Sequence, residues 1–385
     1  MRKRAFLLLL FFLLFTSPIF GESFVKIYHI GVGQGDCTLL ILKDKTDFGE
    51  DRVLTMIIDG GNSKGRAPAI WNFAKEKITE NGAKELNFLI LSHLHSDHYG
   101  GVTGILEALA KEDAHWRADL MIVDRLAFTK QYGLYADKCY DKSSSKGVAD
   151  YNNVVVQKFN GDRKPISFGQ DLLYQYVFEN MKMICVAANG EVNGTLYAQI
   201  NNNMPKSEND LSFAFVLQFQ GFRYFTGGDV GGGAPYSDLE TPIAKYFSDL
   251  KINGFHVCAL KVSHHGSSHS TNNAFLTVMN PTLGIIPSAL RSFSGTKLPT
   301  KDAVDDLTKA GALLRYTFIP SVPNVYWSGE ATSYQDVVVT VPALPGWGKP
   351  IAMTVTTYQR DKKTLAIINN TTHVETVNCN KTHAQ

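Results

Sequence analysis

Leu89-Ile90-Leu91-Ser92-His93-Leu94-His95-Ser96-Asp97-His98-Tyr99-Gly100-Gly101 gathers three imidazoles and a carboxylate within the six residues 93–98. The run from Leu86 to Leu91, apolar but for Asn87, is too short for an independent helix and reads as a strand buried on both faces. Beyond it, Val102, Ile105, Leu106 and Leu109 recur at helical spacing. The polar cluster therefore sits where a buried strand turns into a helix. Ordinary hydrogen bonds satisfy such a cluster poorly where water is excluded, whereas metal ions satisfy it well. As alternate residues, His93 and His95 project to one side for one ion, and Asp97 and His98 follow the bend for a neighbouring ion. Neutral imidazole and carboxylate oxygen suit zinc, and also manganese or iron, and the lack of nearby thiols argues for an open, catalytic site.

Working outward, Phe24 to Leu42 reads as two strands around Gly31-Val32-Gly33-Gln34-Gly35-Asp36, and Val53 to Ile58 as a strand stopped by Asp59-Gly60-Gly61. Ala67 to Ile78 has helical spacing and Leu120 to Val123 begins a further strand. Residues 130–165, with Tyr132, Tyr135, Tyr140 and Tyr151 among serines, lysines and glycines, read as a long loop or insertion whose tyrosines, with Tyr99, offer faces for stacking on bases. Strand signals return at Met181 to Ala187, at Ser212 to Phe219 and Phe222 to Phe225 joined as a hairpin, and at Ala259 to Val262. Two of these strands end in polar turns, Thr226-Gly227-Gly228-Asp229 and Ser263-His264-His265-Gly266-Ser267, which gain meaning beside the first cluster. Val337 to Val341, Ala352 to Thr357 and Leu365 to Ile368 suggest a small C-terminal β appendage from about residue 335, with a covering role at a sheet edge.

In this order the five motifs Val32-Gly33-Gln34-Gly35-Asp36, Ile57-Ile58-Asp59-Gly60-Gly61, Leu91 to Gly101, Thr226 to Asp229 and Val262 to Ser267 resemble the metallo-β-lactamase superfamily. The Gly-Gln-Gly-Asp opening and the His-His-Gly-Ser ending are similar to the extracellular hydrolase domain of ComEC-type competence proteins. The resemblance spans residues 25 to about 290 and implies an α/β fold, an αββα sandwich with a dinuclear site at one edge. It implies that His93 and His95 hold the first metal, Asp97 and His98 the second, that Asp229 bridges them, and that His264 completes the second, His264 being favoured over His265 as nearer the strand. Asp59 is implied as an outer residue that orients the histidine loop. Many members carry a further histidine before the bridging aspartate; only His115 lies in that interval, and the corresponding stretch offers Asn209 and Asp210 instead. Gly31 likewise stands where an aspartate commonly precedes the first motif.

Two cations held together lower the pKa of a shared water and clamp both oxygens of an in-line displacement. The expected function is therefore a metal-dependent hydrolase with a metal-bridging hydroxide as nucleophile, two divalent ions (zinc, or manganese), Asp97 orienting the nucleophile, and His265 or His269 donating a proton to the leaving group. Because relatives with this motif set handle phosphate esters, a phosphodiester is the first substrate class, either nucleic acid or a phosphocholine-type ester. A carboxamide or lactone hydrolase and a non-catalytic binding protein of the same fold are the alternatives.

Composition limits the rest. With 44% hydrophobic and 19% charged residues and 32 glycines, the chain is neither disordered nor collagen-like nor a coiled coil. Arg2, Lys3 and Arg4 precede an apolar run from Ala5 to Phe15, shorter than the ~20 residues of a membrane span and followed by Pro18 and Gly21. Residues 1–21 are read as a signal peptide, residues 22–334 as the hydrolase domain and 335–385 as the appendage, for a secreted or periplasmic protein with no stable membrane span. Loss of those three cations from 38 leaves 35 against 36 acids, without the excess charge that draws a protein to nucleic acid non-specifically, so nucleic acid enters as substrate only. The five scattered cysteines form no Cys-x-x-Cys pair and leave any disulfide pairing open.

Overall fold

Along the strand Thr38–Lys45, Leu40 and Leu42 point into one apolar cluster while Leu39 and Ile41 point into another. That two-residue alternation with both faces apolar requires cover on both sides. The computed structural model, which describes residues 23–127, 145–201, 204–252, 255–293, 295–343 and 351–379, supplies it with two facing sheets and helices outside each. In chain order the first elements are β1 (Phe24–His29), β2 (Thr38–Lys45), β3 (Asp51–Ile58), α1 (Ala67–Glu80), β4 (Phe88–Ile90), α2 (Ser96–Leu109), β5 (Met121–Val123) and α3 (Ser145–Lys158). There follow β6 (Met181–Ala187), β7 (Ala214–Phe219), β8 (Phe222–Thr226), α4 (Glu240–Asp249), β9 (Ala259–Lys261), α5 (Asn273–Met279), β10 (Leu283–Ile286) and α6 (Lys301–Lys309). The last are β11 (Leu313–Tyr316), β12 (Phe318–Pro320), β13 (Ala331–Pro342), β14 (Ile351–Arg360) and β15 (His373–Cys379).

The first sheet runs β15-β14-β13-β1-β2-β3-β4-β5 with β12 beside β13, and the second runs β11-β10-β9-β8-β7-β6. Between them lies a core of Val25, Ile27, Leu40, Met56 and Phe88 from one sheet and Phe215, Leu217, Phe222, Tyr224 and Ile285 from the other. Each such side chain contributes roughly 1.5–3 kcal/mol by leaving water. The outer faces pack under helices, among them Ile70 and Trp71 of α1, Val102 and Ile105 of α2, and Phe275 of α5. This is a mixed α/β, αββα sandwich of the metallo-β-lactamase kind.

Because β3, β4 and β5 are parallel, as are β8 to β11, the strand ends that carry Asp59, Ser92–His98, Asp229 and His264–His265 fall on matching edges. Two close approaches fix the loops there. A Cβ on Gly35, which sits at φ +103°, would overlap the carbonyl oxygen of Asp97, and one on Gly101 would overlap that of Gly60. The glycine turn is thereby pressed onto the histidine loop.

Three segments differ from the sequence reading. Within the expected loop 130–165, residues 145–158 form α3, whose Val148, Tyr151 and Val155 make a buried stripe. Tyr151 is fully buried and its hydroxyl donates to Asp124 at 2.5 Å, and Tyr99 is also buried, so neither presents a stacking face. Tyr132, Tyr135 and Tyr140 lie outside the described residues, as do residues 1–21 and Cys139. The last strand is His373–Cys379, while Leu365 to Ile368 hold only an isolated bridge, Ile367 antiparallel to Arg360. The C-terminal β stretch joins the first sheet: β13 pairs antiparallel with β1 from Phe24↔Pro342 to His29↔Val337, and Val337, Val339 and Val355 enter the central core. A Cys258–Cys379 disulfide ties β15 to the segment leading into β9, and Cys37 and Cys185 are buried thiols.

Candidate metal centre

The first strand tip starts at Asp59, itself held in the left-handed region at φ 58°. Its carboxylate accepts hydrogen bonds from the Ser92 amide (2.8 Å), the Ser92 hydroxyl (2.7 Å) and His98 Nδ1 (2.8 Å). Engaging Nδ1 leaves Nε2 of His98 aimed at the cluster, the usual way an outer carboxylate orients a metal ligand. His93 Nε2 lies 3.1 Å from His95 Nδ1 and 3.9 Å from Asp229 Oδ2. His98 Nε2 lies 3.3 Å from Asp229 Oδ2 and 3.9 Å from Asp97 Oδ1. The distant strand tips thus meet around Asp229.

At the last tip it is His265, rather than the expected His264, whose ring stands closest to the other candidate ligands. His265 Nε2 is 3.2 Å from Asp97 Oδ2 and 3.4 Å from Asp229 Oδ2, and it groups with Asp97 and His98 as potential ligands lying within 4.8 Å of one another. Its Nδ1 faces the Pro287 carbonyl at 2.9 Å, so the ring is oriented much as His98 is. His264 Nε2 instead stands 4.0 Å from Asp229 and 3.2 Å from the Asn209 amide nitrogen. The physical reason is the backbone: His264 and His265 both adopt φ near +50° (50° and 54°), which breaks the alternation of an extended tip. Such left-handed non-glycine residues cost of order 1–3 kcal/mol each and concentrate at functional sites. Of the two ring nitrogens of His265, expected as a proton donor, Nδ1 is engaged by the Pro287 carbonyl and Nε2 faces the carboxylates of Asp97 and Asp229. His269 is exposed, its ring 6.0 Å from that of Tyr236, which also sits against His264.

Of the stretch that replaces the further histidine, only Asn209 faces the centre. Asp210 turns to Ser237, accepting from its amide at 2.9 Å and its hydroxyl at 2.7 Å. Glu208 is clamped by fully buried Arg125, at 2.5 and 2.8 Å, and accepts from the Leu94 amide at 3.2 Å, which anchors the histidine loop from the opposite sheet.

Two residues absent from the expected set are central. Asp36, from the glycine turn, pairs with the buried Lys261 ammonium and lies 3.3 Å from His265 Nδ1. Lys261 also donates to the Gly228 carbonyl at 2.5 Å and approaches Asp229 Oδ1 at 3.9 Å. A lysine within the otherwise apolar Ala259-Leu260-Lys261-Val262 was a readable signal, because an ammonium is almost never placed in a buried strand without a carboxylate partner.

Asp36 and Asp229 flank one buried ammonium, and Asp59 and Asp97 face the imidazoles of His98 and His265. In the bare cluster, burial opposes charge on His98 and His265, yet Asp229 with Asp59 or Asp36 outweighs it and holds both imidazoles well above their ordinary pKa. Burial dominates at His93, which is pushed well down, and at His264, which is lowered to about 4. Burial also works against the charge of Asp97 and Asp229, but the neighbouring imidazoles, His265 foremost, hold both below the usual carboxylate range. The Nε2 atoms of His98 and His265 and Oδ1 of Asp229 are buried without a hydrogen-bond partner. Anionic carboxylates and orphaned imidazole nitrogens at 3–4 Å spacing are the donor set divalent cations require.

Residues 30–124, which hold Asp36, Asp59 and the histidine cluster, match the model of the metallo-beta-lactamase superfamily. No curated protein matches the chain. Among solved structures, the crystal structure of a long form RNase Z from yeast is similar at a TM-score of 0.37 and 13% identity. That match covers 73% of this chain and 39% of the other, so the chain spans well under half of that protein.

Proposed function

We propose that this chain is a hydrolase working through two divalent cations, zinc or manganese, with a phosphodiester as substrate. The observation that carries the reading is the meeting of His93, His98, His265, Asp97 and Asp229 from separate strand tips, with Nε2 of His98 and His265 and Oδ1 of Asp229 buried and unpartnered. His93, His95 and Asp229 would hold one ion, and Asp97, His98, His265 and Asp229 the other. When bound, the ions supply Lewis acidity and lower the pKa of a water towards neutrality. Asp97, whose side chain is 14% exposed, faces the open side and orients the attacking water. Tyr236 and His264 line the rim by which the leaving group departs. Asp59 and the Pro287 carbonyl fix the tautomers of His98 and His265 before substrate arrives. A phosphate ester suits this centre better than an amide or lactone, because charge develops on both the entering and departing oxygens.

The matched superfamily segment supports the hydrolase class. The Cys258–Cys379 disulfide supports an oxidising compartment and hence export. Metal analysis of purified protein, followed by assays on a bis-aryl phosphodiester, nitrocefin and an acyl-lactone with and without chelator, tests the reading. About two equivalents of metal and chelator-sensitive phosphodiester turnover are expected. Turnover of nitrocefin or lactone alone would move the substrate to the carboxamide or lactone class. Less than one equivalent after saturation with zinc and manganese would favour a binding protein, the reading to which Asn209 points.

A further inference from the structure

Next to the loops of the metal centre lies a concavity of about 580 Å³ with a strongly basic lining. Arg66, Arg291, Lys297 and Lys362 converge on it, against the single acid Glu330. Among the described residues none of the four cations forms an ion pair. Arg66 is spent on the Val32 and Lys362 carbonyls at 2.9 Å each, over the ring of Tyr334; Lys362 donates to the Ala331 carbonyl at 2.5 Å and Lys297 to that of Gly329. Neutral carbonyls position these side chains but leave their charge uncompensated. A second, independent feature is Gln34. It is 1% exposed, lines the same cavity, and both its amide nitrogen and its amide oxygen lack a hydrogen-bond partner. A buried primary amide left bare is costly unless something occupies the space before it.

The cavity is joined to the metal centre by two loops. Gln34 is two residues from Asp36, and Ala289 and Leu290 in its wall follow Pro287, whose carbonyl faces His265. Whatever fills the cavity therefore touches the loops that hold the cluster. Guanidinium and ammonium groups at fixed spacing, with an amide donor, are the chemistry that binds a phosphate oxyanion.

We propose that this cavity is a phosphate subsite that holds a non-scissile phosphate group of the substrate, so that the preferred substrate carries at least one phosphate besides the one being cleaved. The inference rests on the phosphodiesterase reading for its role, but phosphate binding itself is measurable without turnover. Two matched substrate pairs test the role, each compared with and without a terminal phosphate: thymidylyl-thymidine and glycerophosphoglycerol. In the wild type the terminal phosphate should lower KM about tenfold for at least one pair, and which pair responds separates a nucleotide strand from a glycerol-phosphate chain. In Lys297→Gln/Lys362→Gln that ratio should fall below about twofold, and Lys297→Arg/Lys362→Arg should restore it.

Independently, calorimetric titration of inorganic phosphate should show a site in the wild type that is at least tenfold weaker in the glutamine variant, at equal metal content. Equal isotherms, or a wild-type chain that binds no phosphate, overturns the subsite. If phosphate binding depends on these lysines while no phosphodiester is cleaved, the subsite stands and the hydrolase reading fails. If phosphodiesters are cleaved but a terminal phosphate changes nothing in either pair, the hydrolase reading stands and the subsite fails.

Discussion

Replacing Lys261 with methionine removes the one ammonium that, among the described residues, pairs with the carboxylates of the cluster, while keeping the volume of the side chain. Lys261 is 1% exposed and Asp36, its partner, 3%, so neither charge is relieved by solvent. Removing one partner of a buried pair leaves an uncompensated charge and costs about 3–5 kcal/mol. Part of this is offset here, because His265 Nδ1 stays 3.3 Å from Asp36. A destabilisation of about 3 kcal/mol is therefore expected for metal-free protein, and less for metal-loaded protein, in which cations also compensate Asp229. Asp36→Asn alone should cost a similar amount by leaving the ammonium buried. The double variant should cost at least about 1 kcal/mol less than the two singles together, because it removes both charges. Urea unfolding followed by circular dichroism, with chelator and with zinc, measures all four chains. If the single effects add to within ~0.5 kcal/mol, the two charges do not interact, and the account of Lys261 as the internal counter-ion is wrong.

His265→Ala should lose at least one metal equivalent and at least about 100-fold in turnover, whereas His264→Ala should keep its metal; equal metal loss in both, by mass spectrometry of native protein, would undo the reassigned ligand. Asp229→Ala should abolish both bound metal and phosphodiester turnover, and retention of either is incompatible with a bridging carboxylate. Raised pKa values on His98 and His265 mean that the folded metal-free cluster holds protons above the ordinary histidine range. Their contribution to stability is full below about pH 6.5, the unfolded value, and is lost as pH rises through the folded values. Chelated protein should accordingly grow less stable in urea from neutral to alkaline pH, and zinc should abolish that slope. Cys258→Ser/Cys379→Ser should lower stability by roughly 2–5 kcal/mol, since the bridge closes a sequence separation of 121 residues; an unchanged urea midpoint is the contrary result.

Much of the centre was legible because strand tips leave a strong trace. An apolar run that stops at a cluster of histidines locates both the strand and its edge, and the same pattern at Asp229 and His264–His265 marks the opposite sheet. Asp36 was harder, since an aspartate in a glycine turn reads first as a turn former, and only the distant Lys261 shows that it is buried. The order within His264–His265 was inferred from distance to the strand, which holds for an extended tip; two consecutive left-handed residues invert it, and no side-chain pattern announces them. Helix α3 was concealed by its neighbours: the surrounding serines, lysines and glycines read as loop, although Val148, Tyr151 and Val155 already carry a helical stripe. At the C-terminus, His373–Cys379 is an edge strand whose residues are mostly exposed or half-exposed, and so lacks the apolar signal that marks central strands.

The charge balance of the centre joins folding to function. Asp36, Asp59, Asp97 and Asp229 bring four negative charges to a place from which water is largely excluded, and Lys261 returns one. Protons on His98 and His265 can return two more, but only while they remain bound. Divalent cations replace these protons with larger charge and also satisfy the nitrogens that the protein leaves without partners. Metal binding should therefore release protons, about two for a fully loaded centre near neutrality. Calorimetry in buffers of different ionisation enthalpy reads that number directly, and a value near zero would mean that these imidazoles are already neutral and that the carboxylates do not govern them.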